Sequence, residues 1–160
     1  MHKEKLTKFV LNLIIITLIF LADRISKIYI LKEADVQNVV DIYLNPYVNF
    51  YLIWNKGIAF GLFSFDGNFL YNLITLVIIV IVLTVFVLTI KAKGFRRYAL
   101  LFVLGGALGN LFDRIYYTAV PDFIDLHINN FHWFVFNVAD IFITLGIICL
   151  ISAEIFLKDN

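Results

Sequence analysis

Four long apolar runs limit what this chain can fold into. They cover residues 9–31, 69–90, 98–117 and 138–157, and charged residues are sparse within them. A helix of about 20 such residues crosses the hydrocarbon core of a bilayer. Hydrophobic residues make up 62% of the chain and charged residues 16%, whereas soluble domains have roughly 45–50% and 25%. We therefore expect an all-α polytopic membrane protein with four transmembrane helices, folded as one membrane-embedded domain over residues 1–160.

The positions of lysine and arginine predict the orientation of the four spans. Three lysines precede residue 9, and the connection 91–97 has four basic residues. The connections 32–68 and 118–137 have only two between them. Basic residues accumulate on the cytoplasmic side of membrane proteins. Both termini and the 91–97 loop are therefore predicted to be cytoplasmic, and the other two connections to face outward.

The two outward connections contain patterns that predict short strands. In residues 48–55, "VNFYLIWN", the side chains alternate with the period of a strand, and Asn45-Pro46 supplies a turn before them. Residues 123–136, "FIDLHINNFHWFVF", indicate two strands around Asn129-Asn130. We expect a small β-cradle on the outer membrane surface. An aromatic belt at the interface, without any sheet, is the alternative.

The remaining composition gives little support for nucleic-acid, disulfide or metal chemistry. A net charge of +1 offers no basic surface for nucleic acid. Cys149 is the single cysteine, and its place in the fourth run is typical of a small buried hydrophobic residue. Asp125, His127 and His132 could be imagined as ligands, but their spacing is generic. We expect neither a metal nor another cofactor, and we expect Asp125 to be a solvated outer residue.

Polar residues in and beside the apolar runs converge on one depth. At 1.5 Å per residue, Asp23 lies about 21 Å along the first run, and Asn110 and Asp113 lie about 18–23 Å along the third. The fourth run starts from the outer side, so Asp140 is about 5 Å deep. Asp122 follows the outer end of the third run. Charge in hydrocarbon costs roughly 2.5–3.5 kcal/mol per group, so a cluster at one level indicates a functional site in the outer leaflet.

Two Asn-x-x-Asp patterns contribute to this level. Asn110 and Asp113 form one, and Asn137 and Asp140 form the other. Residues three apart share one face of a helix, where an asparagine can donate to the carboxylate or to a bound peptide. The alternative for Asn110, Asp113 and Arg114 is a purely structural role, in which hydrogen bonds and an ion pair hold helices together.

Asp122 and Asp140 differ from the other acids because neither has a cation beside it in the sequence. If they face each other at about 4 Å, their negative charges repel by roughly 4 kcal/mol at an effective dielectric constant near 20. That is about three pKa units, so one carboxyl would keep a proton at neutral pH. A carboxylate and a carboxylic acid that share a water form the arrangement of aspartic proteases. The alternative is a pair of solvated interfacial aspartates.

Five segments resemble, in order, the motifs of the lipoprotein signal peptidases, or signal peptidase II. "ADRISK" (22–27) is similar to the family's Asp-Gln-x-Thr-Lys motif, and "WNKGIAFGLF" (54–63) is similar to its Asn-x-Gly-Ala-Ala-Phe motif. "GGALGNLFDR" (105–114), "VPDFID" (120–125) and "FNVADIFITLG" (136–146) resemble the motifs that follow. The resemblance covers all four spans.

The resemblance implies a membrane-embedded aspartic endopeptidase of the bacterial cytoplasmic (inner) membrane. Such enzymes remove signal peptides from prolipoproteins, cutting before the lipobox cysteine once it carries a diacylglyceryl group. The resemblance implies that Asp122 and Asp140 are the catalytic pair. The partners would be diacylglyceryl-prolipoproteins and membrane lipids, and we expect a monomer. The supporting and substrate-binding residues of the family match Asp23, Asn55, Gly57, Asn110, Asp113, Arg114 and Asn137.

The family's fold of four membrane helices and a β-cradle also includes a short amphipathic outer helix, to which residues 60–68 are expected to contribute. Four positions depart from the family's pattern. Arg24 and Ser26 stand where Gln and Thr are usual, Ile58 replaces Ala, and Pro121 replaces Val or Ile. Pro121 removes a backbone donor and fixes the local φ. None of these changes removes a carboxylate.

Two other functions stay open from the residues themselves. One is a small proton- or solute-transporting protein, and the other is a non-catalytic subunit of an assembly. A proton relay needs titratable groups across the whole membrane thickness. The inner half of the four spans has only Glu154, near the cytoplasmic end, which disfavours conduction.

Overall fold

Four long helices and one small sheet form the described part of the chain. A computed structural model describes residues 2–37, 40–57 and 68–156. The helices are α1 (His2–Gln37), α2 (Asn68–Lys91), α3 (Gly94–Tyr117) and α4 (Val138–Phe156). The strands are β1 (Asp41–Asn45), β2 (Val48–Asn55), β3 (Val120–Ile128) and β4 (Phe131–Phe136). All four helices are long and apolar enough to cross a membrane, so the predicted multi-pass fold with a small sheet is confirmed.

The helices extend beyond the predicted spans where helix-forming polar residues adjoin the apolar runs. α1 continues past residue 31 to Gln37, through the helix-favouring segment "KEADVQ". Its 36 residues are about 54 Å long, which exceeds the roughly 30 Å of the hydrocarbon core. α3 begins at Gly94, so two residues separate it from α2. The connection between the second and third helices is therefore shorter than the predicted loop 91–97.

The sheet is antiparallel, with strand order β1-β2-β3-β4. β2 coincides with the predicted strand 48–55, and β3 and β4 flank Asn129-Asn130 as expected. Asn129 has φ 52°, the left-handed conformation that tight hairpin turns require. β1 is the strand that the sequence did not predict, because it is a five-residue edge without clear alternation. The aromatic belt without a sheet is wrong.

The sheet lies at one end of the helix bundle. β1 and β2 connect α1 to α2, and β3 and β4 connect α3 to α4, so both pairs join the same helix ends. Ile30 of α1 packs with Val40 and Phe123 in a buried cluster. This cluster holds β3 against α1 and fixes the strand that carries Asp122. The segment 60–68 expected to form an outer helix lies, apart from its last residue, outside the described residues.

α3 is the central helix, since it contacts α1, α2 and α4. Two glycines on its buried face allow the other helices to approach. A Cβ added to Gly106 would overlap the carbonyl oxygen of Ala139, in the first turn of α4. A Cβ added to Gly109 would lie 2.7 Å from Oδ2 of Asp23, in α1. Small residues permit this close contact of membrane helices, and here they bring three helices together at the level of the polar residues.

Gly106→Ala is expected to destabilise the fold, because the added methyl group meets α4 backbone rather than a flexible side chain. Overpacking typically costs about 1–3 kcal/mol, so the thermal unfolding midpoint in detergent should fall by several degrees. Val87→Ile is the control, since it adds one carbon at a position on α2 that is 45% exposed. Equal midpoints for the two variants would contradict close packing of α3 on α4.

Candidate active site

Four buried charges join α1 to α3 near the sheet. Lys27 Nζ lies 2.6 Å from Asp113 Oδ2 and 2.9 Å from Asp23 Oδ1. Arg24 Nη1 lies 2.5 Å from Asp113 Oδ1, and Arg24 Nη2 lies 2.9 Å from Asp23 Oδ2. The two cations balance the two carboxylates. A charge cluster this deeply buried is stable only when every charge has a partner.

Lys27 is a site residue that the sequence reasoning missed. Its side chain is fully buried, and it donates to Asp23, Asp113 and Asn110. The available signal was a lysine one helical turn after an aspartate, inside an apolar run. Arg24, noted only as a departure from the family's pattern, belongs to the same cluster.

An ion pair that ties helices together, as considered for Asp113 and Arg114, is present at Asp113. Its cations are Arg24 and Lys27 of α1, and Arg114 points in a different direction from its neighbour Asp113. Arg114 donates from Nη2 to the carbonyl oxygen of Gly57. The backbone carbonyl of Arg114 accepts a 2.8 Å hydrogen bond from the hydroxyl of Tyr71. Arg114 therefore ties α3 to α2 and to the segment after β2.

The charge cluster reaches Asp140 through Asn110. Lys27 Nζ donates to Asn110 Oδ1 at 2.9 Å. Because an ammonium group can only donate, this bond fixes which end of the Asn110 amide faces Lys27. The other end, Nδ2, then donates to Asp140 Oδ1 at 2.8 Å. Asp23 extends the same linkage by accepting a 3.0 Å hydrogen bond from the backbone N–H of Ala139.

Asn137 and Asp140 form a reciprocal cap at the start of α4. Asn137 Oδ1 accepts from the backbone N–H of Asp140 at 3.1 Å, and Asp140 Oδ2 accepts from the backbone N–H of Asn137 at 3.2 Å. This is a capping box, in which the cap residue and the third helical residue satisfy each other's N–H groups. Asn137 therefore lies just outside the helix, and the expectation of a shared helix face applies only to Asn110 and Asp113.

Asp122 is held by two amides on the buried part of β3. Asn55 Nδ2 donates to its Oδ2 at 2.9 Å, and Asn137 Nδ2 donates to its Oδ1 at 2.6 Å. Asn55 is oriented in turn, because its Oδ1 accepts from the N–H of Gly57 at 2.9 Å. Asn137 thus contacts both aspartates, through its side chain to Asp122 and through the cap to Asp140.

The surroundings of Asp122 favour its protonated form. Burial raises the pKa of Asp122 to about 7, and the negative charge of Asp140 contributes in the same direction. The hydrogen bonds from Asn55 and Asn137 oppose this rise because they stabilise the carboxylate. A group with this pKa exchanges a proton readily near neutral pH. The alternative of two solvated interfacial aspartates is therefore wrong for Asp122, which is 3% exposed.

The expectation that Asp125 is a solvated outer residue is also wrong. Its carboxylate is buried and lies 2.7 Å from Nδ1 of His132. The hairpin of β3 and β4 folds His132 back over Asp125, which spacing along the chain did not indicate.

Comparisons with known proteins identify the family of this chain. The family model described as Signal peptidase (SPase) II matches residues 15–156. The chain belongs to the signal peptidase II family. It is 55% identical over 160 residues to a lipoprotein signal peptidase of Pelagibacter ubique, covering 100% of this chain and 96% of the relative. A lipoprotein signal peptidase of Anaplasma phagocytophilum is 42% identical over 151 residues, covering 92% of this chain and 94% of the relative.

Solved structures show the same fold. A bacterial membrane enzyme determined by the in meso method at 2.3 Å resolution has a TM-score of 0.75 and 26% sequence identity. The match covers 93% of this chain and 92% of that chain. A second such structure, at 1.9 Å resolution, has a TM-score of 0.72 and 28% identity, covering 93% and 94% of the two chains.

Lys27→Met is expected to destabilise this family member by about 3–5 kcal/mol, because it leaves a buried carboxylate without its cation. Asp113→Asn in the same chain should restore part of that loss, since the charges of Asp23 and Arg24 then balance again. The measurement is a double-mutant cycle on the free energy of unfolding in detergent. If the free-energy losses of the two single variants simply add in the double variant, Lys27 and Asp113 are not coupled.

Proposed function

We propose that this chain cleaves signal peptides from prolipoproteins, and that Asp122 and Asp140 are its catalytic pair. The cleavage is supported by family membership and by relatives named lipoprotein signal peptidase over the whole chain. The pair is supported by one observation above all, namely that Asn137 contacts both carboxyl groups. Asn55 and Asn110 also donate amide hydrogen bonds that hold Asp122 and Asp140, respectively, in place.

In this aspartic mechanism one carboxylate removes a proton from water while the other carboxyl protonates the carbonyl oxygen of the scissile bond. We assign the resting proton to Asp122, because burial raises its pKa to about 7. Asp140 lies in the first turn of α4, where the helix dipole stabilises negative charge, which suits the base. The tetrahedral intermediate then breaks as a carboxyl proton passes to the leaving amide nitrogen.

The supporting residues divide into two groups. The first group positions the pair. Its amides bond directly to the two carboxyl groups and come from Asn55, Asn110 and Asn137, whereas Asp23 and Asp113 act through Lys27, which orients Asn110. The second group is Arg114 and Gly57, to which we assign contact with the substrate. Arg114 Nη1 is buried and has no hydrogen-bond partner within the described residues, so it is a donor for a carbonyl group of the substrate or for a lipid headgroup.

The basic residues at the N-terminus and between α2 and α3 support an orientation with both termini in the cytoplasm. The sheet end of the bundle, with Asp122, would then lie at the outer leaflet of the bacterial cytoplasmic membrane. A diacylglyceryl group would hold the substrate cysteine at that depth, next to the bond to be cut. Both aspartates belong to one chain, so a monomer, acting as a single membrane-embedded domain over residues 1–160, would suffice.

Asp122→Asn and Asp140→Asn are each expected to abolish cleavage, because an amide can neither activate water nor supply the proton. The assay follows the size of a diacylglyceryl-modified prolipoprotein incubated with purified protein in detergent. Asp35→Asn, at an exposed position of α1, is the matched control and should cleave normally. Unlipidated substrate should stay intact.

Undiminished cleavage by either active-site variant would remove that residue from the mechanism. A well-folded wild-type protein that does not cleave would instead favour the transport or assembly functions. Unfolding midpoints of all variants separate loss of chemistry from loss of fold.

Asn55→Ala is expected to move the alkaline limb of the cleavage rate to higher pH. The amide of Asn55 stabilises the ionised form of Asp122, so its removal raises the pKa of Asp122 further, and the catalytic proton is retained to higher pH. The measurement is the pH profile of kcat/KM for the variant and wild type. The control is Asn72→Ala, at an exposed position of α2, which should leave the alkaline limb at its wild-type pH. An alkaline limb of Asn55→Ala that stays at the same pH or moves to lower pH would contradict the assignment of the proton to Asp122.

A further inference from the structure

A second polar cluster lies on the sheet, apart from the proposed catalytic pair. Asp125 and His127 are two residues apart on β3, and the pairing of β3 with β4 shifts register between them. His132 of β4 is the cross-strand partner of His127. The ligand atoms of these three side chains all lie within 4.8 Å of one another. Asp122, three residues before Asp125, makes its side-chain hydrogen bonds with Asn55 and Asn137 and is not a member of this cluster.

This cluster contains buried polar atoms that lack partners among the described residues. Asp125 is 4% exposed and His127 is 9% exposed, yet Asp125 Oδ1 and His127 Nδ1 have no hydrogen bond there. Asn49 of β2 is the register partner of Asp125, and its buried Oδ1 also has no hydrogen bond among the described residues. A buried polar atom without a partner costs about 1–3 kcal/mol. Three such atoms on neighbouring strands indicate a site that receives a ligand.

The spacing of the donor atoms suits a metal ion. His132 Nδ1 lies 2.7 Å and His127 Nδ1 lies 3.7 Å from the same oxygen, Oδ2 of Asp125. Ligands about 2.0–2.2 Å from a tetrahedral zinc ion are about 3.3 Å from one another. The two measured distances lie on either side of that value, so small side-chain rotations would complete the geometry.

We propose that Asp125, His127 and His132 bind a divalent transition-metal ion, with Zn²⁺ as its representative. Two imidazoles and a carboxylate suit zinc, whereas Mg²⁺ and Ca²⁺ prefer oxygen ligands. A cleft of about 370 Å³, whose lining includes Asn49 and His132, opens beside the cluster and gives an ion access. The ion links β3 to β4, so it stabilises the hairpin and takes no part in peptide hydrolysis.

The test is zinc binding by purified protein that carries no histidine tag and has been stripped with a chelator. Wild type should bind one Zn²⁺ per chain by calorimetry and elemental analysis, and Zn²⁺ should raise its unfolding midpoint. His132→Ala should weaken binding at least tenfold and abolish that rise. The side chain of His132 is 56% exposed, so its loss should leave the fold intact. His2→Ala is the matched control and should bind as wild type does.

A second variant, Asp125→Asn, keeps the size of the side chain and should also weaken binding. His132→Gln replaces His132→Ala if the alanine variant does not fold. Mg²⁺ at the same concentration should neither bind nor stabilise the protein. The proposal is overturned if wild type shows no saturable Zn²⁺ binding, or if binding is the same in the variants of Asp125 and His132.

Discussion

The structure depends on the placement of one lysine between two carboxylates and an amide. Lys27, whose side chain is fully buried, contacts Asp23, Asp113 and Asn110. Because its ammonium group only donates, it sets the orientation of the Asn110 amide, which in turn donates to Asp140. Buried charges, which are costly in hydrocarbon, thus align α1, α3 and α4.

Asparagine amides extend this alignment to Asp122 and Asp140. An amide has one donor end and one acceptor end, so each bond made at one end decides what the other end presents. Asn55 accepts from Gly57 and donates to Asp122. Asn137 accepts from the N–H of Asp140 and donates to Asp122. The two carboxyl groups are therefore oriented by hydrogen bonds from amide groups, and Lys27 acts on Asp140 through the amide of Asn110.

Sequence reasoning predicted the four helices, three of the four strands and the level at which polar residues gather. Depth along a helix follows from a fixed rise per residue, so the convergence on Asp122 and Asp140 could be found without coordinates. The partner of each charge could not be found in this way, because it depends on the angle at which two helices pack. The sequence suggested an ion pair that holds helices together near Asp113, but only the packing of α3 on α1 identifies Lys27 and Arg24 as its cations. The burial of Asp125 depends in the same way on how β4 pairs with β3.

The most direct measurement is a carboxyl carbon NMR titration of the protein labelled at its aspartates, in detergent. We expect one aspartate to titrate near pH 7, the value to which burial and the charge of Asp140 raise the pKa of Asp122. That titration should be absent in Asp122→Asn and should move to lower pH in Asp140→Asn, where the neighbouring negative charge is gone. If every aspartate of the wild type remains ionised from pH 5 to pH 8, Asp122 holds no proton and the proposed catalytic pair is wrong.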